Sequence, residues 1–301
     1  ALIESAARLV VDYYKTLPQR PVLVPSTSES LREVLCEPLP VDGTGFETLL
    51  GTLRDVVFRF SRHNGHQRFF GYVASPGTPI TTAGSMIEAA LNANLTIWRS
   101  APPAAELEHL VITWLKEMLG YPSSAEGLLV SGGSMANLAA MAAARSAIRP
   151  EAARNGLSGP PLTVYVSSES HFSLRKAAAI LGIGEANVRI VSTDAQLRMD
   201  PAELERLIRV DLAAGRVPMC VSANLGTVGT GAVDPIDAIA KIAHRYGLWL
   251  HVDAAYGGFA ALAPSGQPYF EAISEADSVT LDPHKWLYVP VGCGCVLYKN
   301  P

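Results

Sequence analysis

The chain has 301 residues, 49% of them hydrophobic, enough apolar material for a large buried core; this predicts one large domain with at most a small appendage. A formal net charge of -4 with no Lys/Arg stripe leaves no electrostatic footprint for nucleic acid. The apolar runs stop short of a bilayer span, and the acidic N-terminal stretch with Glu4 and Asp12 does not read as a signal peptide, so no membrane partner is expected.

Leu2, Ile3, Ala6, Leu9, Val10 and Tyr13 recur at helical spacing and predict an amphipathic helix that needs a partner surface. Prolines at 18, 21, 25, 38 and 40 predict an extended connection with one short helix around 31–35. The period over 46–60 is helical, 62–78 reads as an exposed loop, and helices are expected over 79–94 and 102–119, with Pro102 and Pro103 in a first turn that tolerates them. From Gly127 onward the pattern changes. Short apolar runs at 128–130, 162–166, 188–191, 219–222 and 248–252 alternate with helical stretches at 135–148, 173–181, 201–214 and 235–246, and two more runs flank Lys285. Such alternation predicts parallel strands covered on both faces, hence an α/β domain over 46–301 preceded by a helical arm over 1–45. Cys36, Cys220, Cys293 and Cys295 make no disulfide framework, and Cys293-Gly294-Cys295 lacks the spacer of most zinc sites, so reduced thiols, no metal and a cytoplasmic location are expected.

Four features fall at the C-terminal edges of these strands. Ser131-Gly132-Gly133-Ser134 joins a strand to a helix start, where free N–H groups and the helix dipole suit one phosphate; a plain tight turn fits it too. Asp253 ends an apolar run and is followed by Ala254, Ala255, Gly257 and Gly258, which leave room for a flat body, although a turn-capping role would also explain the acid. His171 follows the 162–166 strand, where a lone histidine is more often structural. Lys285 stands between His284 and Trp286; partly apolar surroundings disfavour its ammonium and make the amine nucleophilic, while the tripeptide alone fits a surface lysine at least as well. Together, a phosphate cradle, a ring-sized gap with an acid, an imidazole and an amine describe pyridoxal 5'-phosphate.

HVDAAYGGF, DPHKW, SGGSMAN, SSESHFS and NLGTVGTGAVDPI resemble, in order and spacing, the group II pyridoxal-phosphate decarboxylases related to aromatic-L-amino-acid decarboxylase. The resemblance implies an aspartate-aminotransferase-like (fold type I) large domain with a mostly parallel seven-stranded sheet. It also implies a homodimer with shared active sites, the arm over 1–45 wrapping the partner. Lys285 would form the Schiff base, Asp253 would pair with the pyridinium N–H, and His171 and Ala255 would cover the two ring faces. Gly133, Ser134 and His284 would hold the phosphate and Thr227 would lie beside the ring, while Tyr72 and Ser75 would line the substrate entrance. Asp282 departs from the asparagine of many relatives at a phosphate-contact position.

The implied reaction is decarboxylation of an L-amino acid to the amine and CO2. Family members continue past the position of Pro301 into a mobile catalytic loop and a C-terminal small domain, so the sequence is expected to be one piece of a longer polypeptide. Phe69, Phe70, Tyr72 and Trp98 favour an aromatic substrate, although relatives acting on aromatic substrates are bulkier at Val73 and Ala74; Arg68 and Arg99 are the candidate clamps for an acidic one. The alternatives are aldehyde-forming or C–C lyase chemistry on the same scaffold, and a non-catalytic relative kept as an interaction scaffold. A dinucleotide oxidoreductase is weaker, because no GxGxxG follows the first strand.

Overall fold

All seven apolar runs form strands in the computed structural model, which describes residues 1–73 and 75–300; Ala74, one of the two positions weighed for substrate size, lies outside the described residues. The strands are β1 (Glu126–Val130), β2 (Leu162–Ser167), β3 (Val188–Val191), β4 (Val217–Asn224), β5 (Trp249–Asp253), β6 (Ser278–Leu281) and β7 (Gly294–Tyr298). Among the described residues they make one sheet in the order β1-β7-β6-β5-β4-β2-β3. Pairs β2–β3, β2–β4, β4–β5 and β5–β6 are parallel. β7 runs antiparallel to both β6 and β1. The connection from β6 to β7 explains the reversal: it holds only the four-residue helix Pro283–Trp286, too little for the crossover that a parallel return requires. The polar turn expected around Lys285 therefore contains one helical turn.

β2 is buried at every position and β4 at all but its first, the texture of strands covered on both faces. The helix Gly133–Ile148 packs across β4, β5, β6 and β7 on one face beside the helix Ser173–Ile180. Its buried positions are Ala136, Asn137, Ala140, Met141 and Ala144, so small residues let its backbone come close to the sheet. The helices Pro102–Leu119, Pro201–Ala213 and Ile236–Tyr246 supply the apolar cover around Leu115, Leu204 and Ile239. Asp200 caps the second of these through Ala202 N–H at 2.8 Å. The helix begun at Pro79 ends at Leu91, earlier than its periodicity indicates, because Asn92 takes a positive φ of 45°.

The chain divides into two compact units, Ala1–Ile80 and Thr81–Pro301. In the first, the helix Leu2–Thr16 carries Tyr13, whose ring stacks on Phe58 at 4.9 Å and whose hydroxyl meets His63 Nδ1 at 3.2 Å. The stretch 46–60, periodic enough for one helix, is helical at Phe46–Thr52 and Phe58–Phe60 with a wider π turn at Leu53–Val57 between them. That shift of register begins just past Gly51, the weakest helix former in the run.

Candidate active site

A cavity of ≈ 360 Å³ opens at the C-terminal ends of the parallel strands, lined among others by Gly133, Ser134, His171, Thr227, Asp253, Ala255, His284 and Lys285. These residues come from five places, the start of the helix Gly133–Ile148, the segments that follow β2, β4 and β6, and the end of β5 with the residues after it, which is the edge the sheet topology provides for ligands. At the floor, β1 hands over to the helix Gly133–Ile148 through Gly132, at φ 141° and ψ 175°, a conformation essentially restricted to glycine. The N–H groups of Met135 and Ala136 are taken by Gly132 O. Those of Gly133 and Ser134, ahead of them in the first turn, have no preceding helical carbonyl to serve and are left for an anion.

Gly133 is required sterically as well: a Cβ there would stand 2.7 Å from Asp282 Oδ2 and 3.1 Å from Ala255 Cβ. A Cβ on Gly294 would stand 2.7 Å from Asp282 Oδ1. The Asp282 carboxylate is thus wedged between two bare backbones. Its Oδ2 accepts from Lys285 Nζ at 2.9 Å, and its Oδ1 is buried with no hydrogen-bond partner among the described residues. His284 is oriented by Nδ1 donating to Cys293 O at 2.6 Å, which leaves Nε2 3.8 Å from Asp282.

Asp253 ends β5 and is buried; Oδ1 accepts from Ala255 N–H at 3.1 Å and Oδ2 from Asn137 Nδ2 at 2.8 Å. Across the cavity His171 Nδ1 accepts Ser173 N–H at 3.3 Å and meets Ser173 Oγ at 2.8 Å. Burial, with a smaller opposing effect of Asp253, holds the His171 imidazole below its ordinary range, so the ring is neutral with its proton on Nε2. Thr227, buried, shares a 2.6 Å hydrogen bond with Thr230 Oγ1. The pinch behind it is tight: a Cβ on Gly257 would come 2.3 Å from Leu225 O.

Eight of the residues singled out in the sequence therefore line one cavity. Trp98 does not: it is exposed, and its indole donates to Glu106 Oε1 at 2.8 Å. Tyr72 and Ser75 belong to the first unit, where Tyr72 is exposed at φ 64° with the Arg62 guanidinium 4.0 Å from its ring centre, and Ser75 is half-buried. Sequence reasoning missed Asn137 and the Asp282–Lys285 pair. A polar side chain on the buried alanine face of the helix was the signal for the first.

Pyridoxal phosphate fits this donor set. The N–H groups of Gly133 and Ser134, an acid with both oxygens held by donors, a lysine amine and an imidazole all line the one cavity. Asp282 is the departure, a carboxylate where a phosphate is to be received. Among the described residues no group of three or more His, Cys, Asp or Glu could hold a metal ion.

Residues 29–301 match the pyridoxal-dependent decarboxylase conserved domain. The chain is 38% identical over 296 residues to an aromatic-L-amino-acid decarboxylase of Bacillus atrophaeus, covering 98% of this chain and 60% of that protein. It is also 38% identical over 273 residues to the cysteine sulfinic acid decarboxylase of Mus musculus, covering 90% and 55%. Among solved structures, mouse CSAD in its apo form superposes with a TM-score of 0.95 at 36% identity, over 100% of this chain and 64% of that one. Oryza sativa TDC with PLP and tryptamine superposes at 0.93 with 31% identity, over 99% and 66%. The chain thus spans about three fifths of the length of the relatives it matches. It belongs to the pyridoxal-dependent decarboxylase family.

Proposed function

We propose that this chain binds pyridoxal 5'-phosphate through Lys285 and that the protein it belongs to decarboxylates an L-amino acid, by preference an aromatic one, to the amine and CO2. The observation that carries the reading is one cavity lined by an amine (Lys285), an acid (Asp253) and the open helix start at Gly133 and Ser134. When bound, pyridoxal phosphate supplies an electron sink for the pair left at Cα as CO2 departs. Asp253, held by Ala255 and Asn137, would pair with the ring nitrogen and keep its proton there. His171 and Ala255 would cover the cofactor ring, Thr227 would lie beside it, and Gly133, Ser134 and His284 would hold the phosphate. Asp282 Oδ2 accepts from Lys285 Nζ at 2.9 Å and so fixes where the lysine amine stands in the cavity.

The aromatic preference rests on the similarity to the Bacillus atrophaeus enzyme over 98% of the chain. Tyr72, Ser75 and Trp98 are proposed at the substrate entrance. A second copy of the chain is proposed as partner, in a cytoplasmic homodimer: the helix Pro102–Leu119 exposes Leu107, Leu110, Trp114 and Met118 along one face, and such a stripe needs cover. Residues 1–45 are proposed as the arm that wraps that copy, and 46–301 as the cofactor-binding domain.

The test is the absorbance spectrum of the purified full-length protein before and after borohydride, with the reduced adduct mapped by peptide sequencing. A screen of L-amino acids for CO2 release follows. A visible band that borohydride removes, with the adduct on Lys285, is expected; an unchanged band in Lys285→Ala would refute the assignment. Aldehyde in place of amine would overturn the reaction, and a preference for cysteine sulfinate would overturn the aromatic choice alone.

A further inference from the structure

The helix that receives the phosphate buries one side chain that is not apolar. Asn137 is 1% exposed among Ala136, Ala140, Met141 and Ala144, and its amide makes all four of its possible hydrogen bonds. Nδ2 donates to Asp253 Oδ2 at 2.8 Å and to Ser173 Oγ at 3.0 Å. Oδ1 accepts from Thr280 Oγ1 at 2.8 Å and from His251 Nε2 at 3.0 Å.

The directions follow from the ends of the chain of bonds. An ionised carboxylate only accepts, so the NH2 of Asn137 faces Asp253 and its carbonyl faces His251. His251 Nε2 therefore carries the proton. The ring is neutral, since burial pushes it down to about 4, and Nδ1 is then an acceptor for Ser278 Oγ at 2.9 Å. Ser278 Oγ in turn accepts the indole N–H of Trp249 at 2.8 Å. On the other branch Ser173 Oγ, having accepted from Asn137, gives its hydrogen to His171 Nδ1 at 2.8 Å. Every bond from Trp249 inward donates toward the cavity, and the two branches divide at Asn137.

We propose that Asn137 is the positioning residue that couples the acid and the imidazole of the cofactor site, turning Asp253 toward the cavity as an undivided carboxylate and orienting His171 through Ser173. The inference rests on the reading of the cavity as a pyridoxal phosphate site. A fully satisfied buried amide of this kind costs little to keep and much to disturb, because each lost bond strands a buried partner.

The discriminating variant is Asn137→Asp, which keeps the shape and replaces two donors by acceptors. The introduced carboxylate stands between Asp253 and His251, with His171, Tyr256, Asp282, His284 and Lys285 as the other titratable groups around the cavity. Two carboxylates in contact cannot both ionise freely, so the variant must hold an extra proton, and raising the pH removes it. Pyridoxal phosphate affinity of the full-length protein is measured by absorbance titration at pH 6 and pH 8.5, each as the ratio of variant to wild type. We expect a ratio close to one at pH 6 and affinity at least about tenfold weaker at pH 8.5, the scale of one lost charge-assisted hydrogen bond. A pH-independent ratio would overturn the inference. Thr280→Val, isosteric and remote from the cofactor, removes one of the two donors to Asn137 Oδ1. It is expected to weaken cofactor binding in the same sense by a few-fold, and unchanged affinity there overturns the proposal should N137D not fold. Failure of the wild type to bind pyridoxal phosphate would instead fault the reading of the site itself.

Discussion

Replacing Asp282 by asparagine isolates the charge that faces Lys285. The pair is 2.9 Å apart, with the carboxylate 2% and the lysine 16% exposed. At an effective dielectric constant of about 20, that separation corresponds to about 6 kcal/mol of gross attraction. Desolvation takes back much of it, and removing one member of a buried pair typically costs ~3–5 kcal/mol. Because the ammonium keeps some solvent contact, the loss in the cofactor-free protein is expected near ~3 kcal/mol, about 6 °C in melting temperature for a large domain. No clash accompanies the change, since an amide fills the same wedge between Gly133 and Gly294. Pyridoxal phosphate brings its own anionic group into the cavity and so restores a counter-charge. The assay is thermal unfolding of wild type and D282N with and without the cofactor, and loading should recover more stability in the variant. Equal losses in both forms, or none, would refute the view that Asp282 balances Lys285 in the open site.

Gly257→Ala tests the close approach behind Thr227: its Cβ would stand 2.3 Å from the backbone oxygen of Leu225, so destabilisation of at least ~1–3 kcal/mol is expected, and a wild-type melting temperature would contradict the packing. His251 gives a pH dependence. Burial holds its imidazole at about 4 against 6.5 unperturbed, so the unfolded chain takes up its proton first as the pH falls. Its contribution is complete above pH 6.5 and is lost between there and about pH 4, by an upper bound of about 3 kcal/mol. The carboxyls of Asp234 and Asp277, raised chiefly by burial, act in the opposite sense at acid pH. Comparison with His251→Asn isolates the histidine: urea unfolding from pH 7 to 5 should show a shallower loss in the variant, and parallel slopes would count against a neutral buried imidazole.

The central strands could be read from the sequence because they are buried on both faces, and a run such as Leu162–Ser167 then has one available environment, whereas the edge strands β1 and β3 stay largely uncovered. The cavity residues could be read because they terminate those runs, and the termini of parallel strands converge. Other features depend on distance along the chain. Asn137 finds its partners 36, 114, 116 and 143 residues away, so no local spacing announces them. Trp98 shows the converse. Its indole donates to Glu106, only eight residues on, a local bond that the residue types between them do not announce.

Asp282 is a third case, in which residue type and position were visible and the role was not. An acid next to a lysine in Asp-Pro-His-Lys reads as a change at a phosphate contact. Only the short helix Pro283–Trp286 shows that positions 282 and 285 face each other, because one helical turn brings residues three apart onto the same side. The turn in turn depends on Pro283, whose fixed φ suits the first helical position and whose missing N–H costs nothing there. Residues 282–285 therefore set the amine at the cavity and supply the carboxylate that holds it, and the sheet need only deliver β6 to that point.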